Sequence, residues 1–192
     1  ITSLFSLFSL YIFPYSYLLS AISLAIGTLI KPQAAFILPA ILYLFITSDK
    51  NKLMNYRVAK SFAYCFTGLL VFVLGFLPFS TQSNLFMFVL ERLSISSGQY
   101  PYGSVNAFSF WGLFGFWKSD NLTFSIGFGI STILLALITI FIIKKRPKTG
   151  EYLLAGLSLL ITFIFLTRIH ERHLLPVLAP LLISAFVNPI LF

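Results

Sequence analysis

Leu122-Thr123-Phe124-Ser125-Ile126-Gly127-Phe128-Gly129-Ile130-Ser131-Thr132-Ile133-Leu134-Leu135-Ala136-Leu137-Ile138-Thr139-Ile140-Phe141-Ile142-Ile143 carries no charge, and Lys144, Lys145, Arg146 and Lys148 follow it at once. A helix satisfies its own backbone N–H and C=O groups, and about 20 apolar residues in that form cross a bilayer. The basic residues behind it mark that end as cytoplasmic. The whole chain has the same character, with 58% hydrophobic and 9% charged residues and 23 Phe and 9 Tyr among 192 residues. Soluble domains carry about 25% charged residues, and a chain of this size cannot hide so much apolar surface from water. The expected fold class is all-α: a polytopic membrane helical bundle forming a single membrane domain over residues 1–192.

Working outward, further apolar stretches run from Leu4 to Ile30, Ala34 to Thr47, Val58 to Phe79, Tyr152 to Thr167 and His173 to Val187. The first is too long for one simple span, and Pro14 between Tyr11, Tyr15 and Tyr17 predicts a turn that divides it into two short helices. The expected total is therefore about six to seven spans. Lys50, Lys52, Arg57 and Lys60 form a second basic cluster. With both clusters inside, alternation puts Lys31-Pro32-Gln33, the stretch Ser80 to Asn121 and the connection Thr167 to His173 on the extracytoplasmic side. Within Ser80 to Asn121, residues Asn84 to Ser96 set Leu85, Phe86, Phe88, Val89, Leu93 and Ile95 against Glu91, Arg92, Ser94 and Ser96, the pattern of an interfacial amphipathic helix. A turn-rich loop, Ser97 to Gly103, follows.

The formal net charge of +8 would suggest nucleic acid in a soluble protein. Here the cations sit in short runs between apolar stretches, so the expected contacts are membrane lipids and not nucleic acid. The single cysteine, Cys65, lies in an apolar run and reads as packing. Opening at Ile1 and stopping at Phe192 inside an apolar stretch, the sequence reads as a fragment of a longer protein.

Chemistry concentrates in Thr167-Arg168-Ile169-His170-Glu171-Arg172-His173, pressed between two apolar stretches. Charges at the edge of hydrocarbon are costly unless paired or given a ligand. As a helix, this segment would put Arg168 and Arg172 on one face with Glu171 beside Arg168. One carboxylate does not neutralise two arginines, and a guanidinium fork suits phosphate oxygens. The alternatives are a hydrated turn that touches lipid headgroups, or a metal bound by His170 and His173, whose spacing matches no zinc pattern. Lys31, at a helix break before Pro32, is either a snorkelling anchor or a second phosphate contact. Tyr100, Tyr102, Trp111 and Trp117 read as an interfacial aromatic belt, or with Asn106 as a surface on which a sugar stacks and hydrogen-bonds.

Three segments in order, Gly27-Thr28-Leu29-Ile30-Lys31-Pro32-Gln33-Ala34-Ala35, Ser104-Val105-Asn106-Ala107-Phe108-Ser109-Phe110-Trp111-Gly112 and Arg168-Ile169-His170-Glu171-Arg172-His173-Leu174-Leu175-Pro176, together resemble the later part of GT-C superfamily membrane glycosyltransferases. The likeness is to mannosyltransferase-like proteins similar to the protein O-mannosyltransferases. It implies an enzyme of the prokaryotic plasma membrane that transfers a sugar, such as mannose, from a polyprenyl- or dolichyl-phosphate carrier to an acceptor on the outer face. By the same resemblance Lys31, Arg168 and Arg172 would contact the donor phosphate. His170 and Glu171 would position that phosphate or the sugar, and Asn106 with Trp111 would shape the sugar pocket. His173 stands where the family more usually has tyrosine. The family's catalytic carboxylate lies in the first extracytoplasmic loop, so the resemblance places it outside this stretch, and neither a metal nor another cofactor is assigned. A transporter or flippase for an anionic lipid or solute would use the same arginines, although its ionisable residues usually sit near the bilayer midplane between repeated halves.

Overall fold

A computed structural model describes residues 1–48, 52–81 and 83–188. It is all-helical: α1 (Thr2–Ile12), α2 (Tyr17–Ile30), α3 (Leu38–Ser48), α4 (Met54–Leu74), α5 (Leu85–Gly98), α6 (Thr123–Lys145), α7 (Gly150–Phe165) and α8 (Leu175–Val187), with short 3-10 turns between them. Packing divides the chain into two compact units, Ile1–Ala35 with Ser48–Gln99, and Phe36–Thr47 with Tyr100–Phe192.

In the first unit the long amino-terminal stretch is broken as Pro14 predicts. α1 ends at Ile12, and Ser16 opens α2 with its hydroxyl accepting from the Leu19 amide at 3.3 Å. Small residues let α1 and α2 approach closely. Ser9 Oγ lies 2.9 Å from Ser20 Oγ, Ser23 Oγ donates to the Phe5 carbonyl at 2.8 Å, and a Cβ on Gly27 would stand 3.1 Å from Phe5 Cβ. α2 stops where Lys31 turns to an extended conformation ahead of Pro32, which begins the 3-10 turn Pro32–Ile37. On α4, Lys60 is buried, its ammonium 4.9 Å from the Phe13 ring centroid and 5.3 Å from that of Tyr17. Lys50 lies outside the described residues.

The expected interfacial segment is α5, with the Asn84 side chain capping the Met87 amide at 3.2 Å. Of its apolar set, Phe88 and Val89 are buried, while Phe86, Leu93 and Ile95 stay exposed. Ser97 and Gly98, expected in the loop, belong to the helix. Cys65, read as packing, is exposed on α4, because its apolar neighbours face outward with it.

In the second unit α6, α7 and α8 pack in sequence, and α3 shares an apolar groove with α6, lined by Leu38, Leu42, Leu135 and Ile143 among others. Gly150 allows the Tyr43 ring to meet the start of α7, since a Cβ there would come within 2.6 Å of the Tyr43 hydroxyl. Among the described residues, two helical segments are by length and composition able to cross a membrane, Met54–Phe79 and Thr123–Lys145. The shorter apolar helices of 10–17 residues fall below the about 20 that a perpendicular span needs.

Candidate functional site

The second unit carries a folded loop, residues 100–121, whose backbone is knitted to the connection between α7 and α8. Arg168 N–H donates to the Tyr102 carbonyl at 2.9 Å, and Val105 N–H donates to the Ile169 carbonyl at 3.2 Å. Single bridges pair Val105 and Asn106 with His170. Within the loop, Gly103 N–H reaches the Lys118 carbonyl at 2.8 Å, and Trp117 N–H the Ser104 carbonyl at 3.0 Å. Ala107 and Ile169, with Phe163 of α7, form the apolar core beneath.

At the centre is an ion pair. Arg168 Nε donates to Asp120 Oδ2 at 2.7 Å and Nη2 to Oδ1 at 3.2 Å, a two-point grip. Thr167 Oγ1 donates to Oδ2 at 3.0 Å. The Asp120 side chain is 3% exposed and that of Arg168 27%, and the guanidinium carbon stands 4.5 Å from the Phe124 ring centroid. Burial disfavours the ionised Asp120, but the hydrogen bonds from Arg168 and Thr167 and the charge of Arg168 outweigh it, holding the carboxyl below its ordinary range.

The segment around Arg168 is not helical. α7 ends at Phe165, Arg168 has φ 63°, and only Glu171–His173 form a short 3-10 turn. The shared helical face of Arg168 and Arg172 is therefore not formed, because the backbone from 168 to 170 is committed to the loop instead. The partner of Arg168 is Asp120 and not Glu171. The charge arithmetic changes with it: two carboxylates now accompany two arginines, and the surplus positive charge read from the turn alone disappears.

Of the other expected site residues, Arg172 and Glu171 are exposed on the 3-10 turn. His170 is half-buried with its ring 5.0 Å from that of Tyr100, and His173 Nδ1 lies 2.9 Å from the His170 backbone N–H and 3.2 Å from the His170 carbonyl, which closes the short turn. Asn106 holds φ 57° and accepts from Trp117 Nε1 through Oδ1 at 3.0 Å. Trp111 is 6% exposed and its Nε1 donates to the Phe165 carbonyl at 2.6 Å, satisfying an acceptor that the end of α7 leaves open. Lys31, half-buried at the end of α2, belongs to the first unit, whereas Arg168, His170, Glu171, Arg172, Asn106 and Trp111 belong to the second.

Asp120 is the residue that the sequence reading missed. Three of the left-handed non-glycine residues, Asn106, Trp117 and Arg168, fall in this assembly, and such strain persists only where the surroundings over-determine it. No protein-family model matches the chain, and no curated protein or solved structure matches it either.

Proposed function

We propose that this chain is part of a multi-pass integral-membrane glycosyltransferase, with about six to seven apolar segments entering the bilayer. It transfers a sugar such as mannose from a polyprenyl-phosphate-linked donor to an acceptor on the extracytoplasmic face. The observation that carries this reading is the turn Glu171–His173, which presents the exposed Arg172 beside His170 and His173 on a platform fixed by the buried Asp120–Arg168 pair. The motif resemblance and the two membrane-length helices support it.

In such a transfer the bond from the sugar's anomeric carbon to the phosphate oxygen breaks, the acceptor hydroxyl oxygen bonds to that carbon as its proton passes to the carboxylate base that the resemblance places outside this stretch, and the phosphate leaves with the electron pair. Negative charge builds on the leaving phosphate, and a fixed guanidinium lowers the barrier where that charge develops. Arg172 is the residue for this role. Arg168 supports it from behind, since two of its nitrogens are taken by Asp120.

The test is sugar transfer from polyprenyl-phosphate-mannose by the full-length protein. Arg172→Ala is expected to lower kcat about 100-fold or more, the usual loss when one transition-state donor is removed. Arg172→Lys is expected to recover little, because an ammonium lacks the bidentate fork. Unchanged turnover in Arg172→Ala defeats the reading. Donor binding without turnover, in wild-type protein that moves an anionic lipid across vesicles, replaces it with the flippase.

A further inference from the structure

The loop that carries the site also displays an apolar face that the site does not use. Phe108 is 88% exposed, Leu113 82% and Leu122 79%, and Phe114, Phe116 and Trp117 are exposed beside them. This display is built into the backbone. Trp111, Val105 and Ala107 fill the inside of the loop, so the outward side chains have no interior position left. Gly112 bends the chain so closely that a Cβ would stand 2.8 Å from the Ala107 carbonyl, and Gly115 takes φ 115°, a conformation that side-chain-bearing residues rarely adopt.

We propose that the tip of this loop is a wedge seated in the bilayer leaflet that borders the amino-terminal end of α6. Phe114, Phe116, Trp117 and Leu122 are exposed in the chain leading to α6, and Phe124 and Phe128, one turn apart on one face of α6, are exposed as well. A medium that solvates the first turns of a membrane-length helix suits these loop side chains too. Residues Phe108 to Ser119 include no acidic side chain, and their one cation, Lys118, runs its methylenes past Gly115, where a Cβ would meet Lys118 Cε at 2.7 Å. The Lys118 ammonium lies over the same glycine, 3.2 Å from that Cβ position, and a lysine stem laid along an apolar tip is the form from which an ammonium snorkels to lipid phosphates. Trp117 satisfies its indole N–H on Asn106, so the ring enters an apolar layer with no unmet donor.

The wedge rests on α6 crossing the bilayer, and the test separates the two. The full-length protein, in a Cys65→Ser background, carries a nitroxide at Leu113→Cys or at Phe128→Cys in nanodiscs. Collisions with oxygen, which concentrates in lipid, are compared with collisions with a water-soluble nickel chelate. Oxygen is expected to dominate at both positions. Oxygen dominating at 128 and nickel at 113 overturns the wedge and leaves the α6 span intact, whereas nickel dominating at 128 removes the span and the wedge with it. Low collision rates with both reagents at 113 also overturn it, in favour of a protein partner over the tip. If a labelled variant fails to fold, brominated lipids are expected to quench wild-type tryptophan emission and to lose that effect in Trp117→Phe. Equal quenching in both proteins overturns the wedge.

Discussion

The guanidinium of Arg168 and the carboxylate of Asp120, 48 residues apart, meet through two hydrogen bonds of 2.7 and 3.2 Å, and this pair joins the loop before α6 to the end of α7. Removing one partner of a buried pair leaves the other charge uncompensated, which costs about 3–5 kcal/mol. Arg168 keeps 27% of its side chain exposed, so water recovers part of that loss. Asp120→Asn is expected to destabilise the protein by about 3 kcal/mol, measured as the shift of its unfolding midpoint in detergent. Arg168→Gln should cost a similar amount, and the double variant less than the two together by about 1–3 kcal/mol. Strict additivity would remove the pair from the account of the fold.

The same pair sets a dependence on pH. Asp120 has a folded-state pKa below its unfolded value of about 3.9. Between those values the unfolded chain binds the proton more readily, so stability rises with pH. The contribution is complete above about pH 5 and drains away as pH falls through about 4 toward the lowered folded value. Acid unfolding followed by circular dichroism should therefore show a loss in the wild type over that window that Asp120→Asn lacks. A parallel profile in the two proteins would contradict the lowered pKa.

The breaks of this fold were legible where one residue forces them locally. Pro14 divides α1 from α2, Lys31 and Pro32 end α2, and Lys144 and Lys145 close α6. The site was legible only as a cluster of residue types. Arg168 to His170 reads as helix by spacing, yet their backbone is drawn to Tyr102, Val105 and Asn106, segments more than sixty positions upstream that no local pattern announces. Asp120 left one clue, as one of 5 acidic residues, immediately ahead of an apolar run. Trp111 and Trp117 are equivalent in the sequence. In the fold each indole N–H finds its own acceptor, the Phe165 carbonyl at the buried end of α7 for Trp111 and the Asn106 side chain on the exposed loop for Trp117.

Gly127 separates packing from propensity. A Cβ there would run into the Phe165 carbonyl and stand 3.1 Å from Trp111 Nε1, at the hydrogen bond that fixes Trp111. Helix propensity favours alanine over glycine by about 1 kcal/mol, while forcing an atom into a filled space costs about 1–3 kcal/mol. Gly127→Ala is expected to lower the unfolding midpoint despite the gain in propensity. Gly129→Ala, two residues along the same helix with nothing within 4 Å of its Cβ, should hold the midpoint or raise it. Equal behaviour of the two variants would deny that α6 approaches Phe165 so closely.

At Asn106 a backbone role and a side-chain role are superposed, and two substitutions part them. Its φ of 57° costs an ordinary residue about 1–2 kcal/mol, a cost that glycine avoids, and its amide oxygen is the acceptor for Trp117 Nε1. Asn106→Ala keeps the strain and loses the bond, whereas Asn106→Gly loses the bond and relieves the strain. Alanine should therefore be the less stable by about 1 kcal/mol or more in thermal unfolding. Both variants should shift Trp117 emission alike, since either leaves the indole N–H without that acceptor. If alanine and glycine proved equally stable, the left-handed turn at 106 would be no constraint on this loop, and the rigidity that holds the Glu171–His173 turn in place would have to come from the Asp120–Arg168 pair and the backbone bonds of Tyr102 and Val105.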